Sequence, residues 1–119
     1  MSGYRHRIRP AVLAEIDASR RADQRGDAAE AFRCLERAHV LGQPSTRLHV
    51  QVHGLMLRWA LRHRRGREAV GQVLRILAAA TKTALGWVPQ GNTGGTAVGA
   101  FRRLAIAPEL RRQIDAARR

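Results

Sequence analysis

Apolar residues recur every three or four positions along most of this chain, which is the spacing of one face of an α-helix. Glycine or proline separates the successive apolar stripes, at Gly26, Gly42, Pro44, Gly66 and Gly86. The stripes consist of Val12, Leu13 and Ile16; Phe32, Leu35, Ala38 and His39; Leu48, Val52, Leu55, Met56 and Trp59; Val70, Val73, Leu74, Leu77 and Ala78; and Leu110 and Ile114. The pattern predicts an all-α protein: a compact bundle of two antiparallel helical hairpins, followed by a short C-terminal helix.

Capping residues place the helix starts. Pro10 suits the first turn of the first helix, and Asp27 with Glu30 resembles a capping box at the start of the second. Ser45 or Thr46 can cap the third helix. Residues 1–9 are polar and basic, so we expect a flexible basic arm there and a single helical domain over residues 10–119.

A glycine-rich segment follows the fourth helix and is predicted to be an ordered loop over residues 87–100. Its centre, Asn92, Thr93, Gly94 and Gly95, could present backbone N–H groups to an anion. The alternative is a tight turn that only packs over the bundle, since the lysine of a P-loop is missing.

Composition narrows the class of protein. A chain of 119 residues that is 45% hydrophobic fits one folded domain, and its net charge of +13 raises the question of an acidic partner. The single cysteine, Cys34, excludes an intrachain disulfide and suits a reducing compartment. We find neither a signal peptide nor an apolar run long enough to cross a membrane, so we expect a cytoplasmic protein.

The histidines carry the candidate chemistry. Glu36 and His39 are three residues apart, His49 and His53 are four apart, and each pair shares one face of a predicted helix. The turn around Pro44 is short, so the two helices should be antiparallel neighbours. One carboxylate and three imidazoles would then meet.

Such a cluster is a plausible ligand set for Zn(II), Ni(II), Cu(II) or Fe(II). We assign His39, His49 and His53 as ligands and Glu36 as a fourth ligand or an orienting group. The alternative is a hydrogen-bonded histidine–glutamate network that fixes helix packing. Catalysis by these residues is a third reading, but no nucleophile signature or second E-x-x-H motif accompanies them, so we expect no enzymatic activity.

Three motifs resemble a family of short bacterial proteins catalogued only as a domain of unknown function: L-E-R-A-H-V-L-G-Q, H-V-Q-V-H and G-N-T-G-G. The resemblance covers nearly the whole chain. It implies a helical protein, often encoded near heavy-metal resistance genes and without an established activity. It also singles out Glu36, His39, His49, His53 and Asn92 with its neighbouring glycines.

A weaker resemblance to tetratricopeptide hairpins rests on Glu30-Ala31-Phe32 and Glu68-Ala69-Val70, each of which follows an Arg-Gly turn. It implies an interaction module whose arginines on helices one and three would hold an acidic protein. Nucleic-acid binding is a third hypothesis, because the net positive charge is high. It would be non-specific, since no recognition helix is evident. Self-association as a homodimer through the Trp87–Phe101 region is a further hypothesis. No membrane partner is expected.

Overall fold

Five helices account for nearly all of the chain that can be described. The computed structural model describes residues 2–84 and 106–119, which form α1 (Ser2–Gln24), α2 (Ala28–Gly42), α3 (Thr46–Arg62), α4 (Gly66–Ala84) and α5 (Pro108–Arg118). No strand occurs in these ranges, so the predicted all-α class is confirmed. Helix α1 packs along α2, α3 packs along α4, and α2 lies against α3. The resemblance of these helix pairs to tetratricopeptide hairpins stays a prediction.

The predicted turns and caps shape the connections. The Asp27 side chain accepts a hydrogen bond from the Glu30 backbone N–H at the start of α2, and Ser45 accepts one from the Leu48 N–H at the start of α3. Gly26 adopts a φ of 85°, a left-handed conformation that costs glycine little. The connections from α1 to α2, from α2 to α3 and from α3 to α4 are each three residues long, so these consecutive helices run antiparallel.

The core lies between α1, α2 and α3. Leu35, Leu48 and Val52 are buried there, as their stripes predict. The Phe32 and Trp59 rings lie 4.5 Å apart, and the Trp59 indole N–H donates to the Ala28 carbonyl over 3.0 Å. This contact joins the end of α3 to the start of α2. The end of α2 must therefore lie beside the start of α3.

The prediction of a flexible N-terminal arm is wrong. Residues 2–9 are not a loose arm but the first two turns of α1, with Tyr4 and Ile8 buried in the core. The Tyr4 hydroxyl donates to the Leu41 carbonyl over 2.8 Å, and Arg7 donates to the Ala117 carbonyl of α5. Pro10 thus lies inside a helix, where the missing N–H weakens one turn but this packing offsets the loss.

The prediction of the inward face of α4 is also wrong in part. Its apolar residues Val70, Val73 and Leu74 are 64%, 45% and 62% exposed, so this part of the predicted stripe does not face the core. Ala69 and Gln72 are buried instead. The buried face of α4 therefore carries Gln72, whose Oε1 atom contacts His53 of α3. The Leu77 side chain lies outside the described part.

The final helix follows its prediction, with Leu110 and Ile114 buried. Asn92, Thr93, Gly94 and Gly95, together with the Trp87–Phe101 region, lie outside the described residues. Within the described ranges, none of the helices combines the length and the apolar character needed to cross a bilayer.

Candidate metal centre

Three histidines meet where α2 ends and α3 begins. His39 lies one turn before the end of α2, and His49 and His53 lie on the first two turns of α3. The Gln43–Ser45 connection between the helices is short, which sets these turns side by side. All three side chains are buried, with 2%, 7% and 2% of their surface exposed.

The three rings turn the same atom toward one point. His39 Nε2 lies 2.8 Å from His49 Nε2 and 3.2 Å from His53 Nε2, and the His49 and His53 Nε2 atoms are 3.1 Å apart. The described residues contain this one group of three or more potential ligand side chains. The three histidines therefore meet as the sequence predicts, and their assignment as metal ligands stays a prediction.

A residue on α4 fixes the hydrogen on His53. The Gln72 amide nitrogen donates to Glu68 Oε2 over 2.7 Å, so its Oε1 atom faces His53 Nδ1 at 2.5 Å. Because an amide oxygen only accepts, His53 Nδ1 must carry the hydrogen. In the neutral ring the Nε2 atom then has a free lone pair, directed at the other two histidines.

Burial keeps the His49 and His53 imidazoles uncharged. Removal from water, and secondarily the neighbouring His53, lowers the pKa of His49 to about 3. Burial likewise lowers the pKa of His53, although the hydrogen bond to Gln72 opposes the shift. At neutral pH both rings are neutral and able to ligate a metal ion.

The three Nε2 atoms cannot all form donor–acceptor pairs with one another. Each Nε2 atom offers either one N–H or one lone pair, and His53 offers a lone pair. At least one of the three pairs therefore brings two like groups together, whichever tautomers His39 and His49 adopt. Three Nε2 lone pairs directed at one point could instead be shared by one cation.

Glu36 is not part of the group. It is half-buried on α2, whereas the clustered ligand atoms within 4.8 Å of one another come only from the histidines. The Cys34 thiol also lies elsewhere: its Sγ atom is 3.7 Å from Glu30 Oε1. Burial raises the pKa of this thiol, which therefore stays protonated at neutral pH.

His63 lies among arginines in the sequence, yet its side chain is half-buried at the end of α3. Its Nε2 atom is 2.9 Å from Asp23 Oδ1, and its ring packs 5.1 Å from that of Trp59. It takes no part in the histidine cluster.

The sequence pattern did not reveal the role of Gln72 and Glu68. Their signal is an i,i+4 polar pair in a helix that is otherwise rich in alanine, valine and leucine. The apolar stripe of α4 predicted that a different face of this helix packs inward. The sequence therefore offered no reason to expect a contact between this pair and α3. Gln72 is completely buried, which shows that α4 contributes a polar contact to the cluster.

Fold and site together define a small all-α protein with a buried cluster of three histidines. The chain belongs to the family described as protein of unknown function (DUF3703), whose model matches residues 6–114. This confirms the expected membership of a family without an assigned function. The curated proteins and the solved structures that were searched contain no significant match to the chain.

Proposed function

We propose that this protein binds one transition-metal ion through the Nε2 atoms of His39, His49 and His53. The observation that carries the proposal is the convergence of these three buried atoms within 2.8–3.2 Å of one another. A histidine bound to a metal usually donates its other ring N–H to a protein oxygen. The contact from His53 to Gln72 has that form.

The donor set suits borderline ions. Imidazole nitrogens ligate Zn(II), Ni(II), Cu(II) and Fe(II). A neutral imidazole ring adds no charge to the site. Two nitrogens about 2.05 Å from one ion are about 2.9 Å apart at a right angle and about 3.3 Å apart at the tetrahedral angle. The observed separations of 2.8, 3.1 and 3.2 Å lie at or between these two values, so they suit an ion of either geometry.

Metal handling fits this site better than catalysis. The three ligands are buried, the one thiol is protonated and lies elsewhere, and no carboxylate joins the cluster among the described residues. We propose that the protein senses, buffers or passes on the ion and is not an enzyme. Glu36, half-buried one turn before His39, then has at most a supporting role.

The test is metal uptake by the metal-free protein, measured by calorimetric titration with each of the four ions. A variant that combines His49→Ala and His53→Ala removes two ligands, and His6→Ala, which removes an exposed histidine, is the matched control. We expect one equivalent of one ion to bind to the native protein and to the control, and none to the double variant. Far-UV circular dichroism checks that all three proteins keep their helices.

Equal uptake by the double variant would place the metal elsewhere and overturn the proposal. If none of the four ions bound to the native protein, the cluster would instead be a hydrogen-bonded network that fixes the packing of α2 on α3.

A further inference from the structure

A second candidate site lies away from the histidines, in a groove between α1 and α3. Its volume is about 460 Å³, within the range of known ligand sites. The groove is open to solvent, and its lining extends from Ile16 to Gln24 on α1 and from Leu55 on α3 to His63 directly after it. Eight helical positions correspond to a length of about 12 Å, or about four residues of an extended peptide.

The walls of this groove are cationic. Arg20, Arg58 and Arg62 line it, against the single carboxylate of Asp23. Asp23 is already engaged by Arg62 and by His63. Arg58 is exposed and forms no ion pair with any residue in the described ranges. An acidic ligand would therefore find an uncompensated guanidinium at this position.

The floor of the groove is apolar. Ile16 comes from α1, Leu35 from α2 and Leu55 from α3, and all three also belong to or pack against the core. A rigid apolar floor beneath charged walls selects a ligand that carries both an apolar group and carboxylates. Because the groove is open to solvent, it suits a chain segment more than an enclosed small molecule.

We propose that this groove binds a short acidic peptide segment, with an apolar side chain on the floor and a carboxylate paired with Arg58. Binding at this site does not depend on the histidine cluster. The charge of the groove sets the preference for acidic sequences, and the floor distinguishes the segment from a purely charged chain.

The probe is a fluorescently labelled peptide of alternating leucine and glutamate residues, followed by fluorescence anisotropy. A matched peptide with glutamine in place of glutamate reports the contribution of charge. The protein variants are Arg58→Glu and, as a control with the same change of charge, Arg47→Glu, an exposed position of α3 outside the groove. The variant without His49 and His53 separates this site from the metal centre.

We expect Arg58→Glu to weaken binding of the acidic peptide by about tenfold or more, the equivalent of about 1.4 kcal/mol. Arg47→Glu and the loss of the two histidines should leave it nearly unchanged, and the glutamine peptide should bind poorly. Absence of binding to the native protein would overturn the proposal. So would equal weakening by both charge reversals together with displacement by duplex DNA, since that outcome indicates general cationic attraction.

Discussion

The Nδ1 atom of His53 lies 2.5 Å from Oε1 of Gln72, so a residue of α4 determines which nitrogen of an α3 histidine faces the cluster. Glu68 holds the Gln72 amide in this orientation by accepting its N–H. The histidine cluster is thus supported by three helices, although only α2 and α3 supply its rings. Gln72 acts as a positioning residue, because it touches a proposed ligand but not the proposed ion.

Replacing Gln72 by leucine should lower the metal affinity by about 10- to 100-fold, because His53 loses the acceptor that fixes its tautomer. Calorimetric titration of the purified variant measures this change. Gln51→Leu makes the same substitution at an exposed position of α3 and should leave the affinity unaltered. Native affinity in the Gln72→Leu protein would show that the contact has no part in binding.

Removal of the metal should lower the thermal stability. A ligand present at about 100 times its Kd stabilises the folded state by about 2.7 kcal/mol, provided that it binds only that state. For a domain of this size that corresponds to a fall in Tm of roughly 10 °C when a chelator is added. Differential scanning calorimetry with and without chelator gives the shift.

The variant lacking His49 and His53 serves as the control for this experiment, since it should melt at one temperature in both conditions. If neither added metal nor chelator changed the Tm of the native protein, the proposed site would be contradicted.

Acidification should destabilise the metal-free protein. The pKa of His49 is about 3 in the folded state and about 6.5 in the unfolded chain. Between these pH values His49 is protonated in the unfolded state but not in the folded state. Stability therefore falls as the pH decreases through this window, by about 2 kcal/mol from His49 alone between pH 7 and pH 5. Urea unfolding at the two pH values measures the loss.

His49→Gln removes this titration and should reduce the pH dependence by a similar amount. If the native protein and His49→Gln lost equal stability on acidification, His49 would not be shielded from water as the structure has it.

Tyr4 offers a separate test of the N-terminal turns of α1. Burial raises its pKa to about 12, whereas a tyrosine in a loose arm ionises near pH 10. The chain contains a single tyrosine, so the ultraviolet absorbance of the phenolate reports this residue alone. We expect ionisation near pH 12 in the folded protein and near pH 10 in urea, with stability lost as the pH rises between these values. A folded-state pKa near 10 would favour the loose arm.

Local sequence signals were sufficient for most helices and for the three histidines. Asp27 and Ser45 mark helix starts that the structure has as well, and a short turn between two histidine-bearing helices is enough to bring the rings together. Spacing along one helix and the direction of the next are both local properties. They do not depend on how the remainder of the chain packs.

The predictions that failed needed tertiary information. Pro10 was interpreted as a helix start, although Tyr4, Ile8 and Val12 continue one buried stripe across it. On α4 the most apolar face was expected to pack inward, yet Gln72 lies inward because His53 provides its partner. A polar pair between two helices has no periodicity of its own, so hydrophobic patterning could not reveal it.

X-ray absorption spectroscopy at the edge of the bound metal tests the central claim most directly, because it counts imidazole ligands around the ion. For protein loaded with one equivalent, the account predicts scattering from three imidazole nitrogens at about 2.0–2.1 Å. It also predicts the loss of this signal in the variant without His49 and His53. A spectrum with one imidazole or none, or one that the double substitution leaves unchanged, would contradict the assignment of His39, His49 and His53 as the metal ligands.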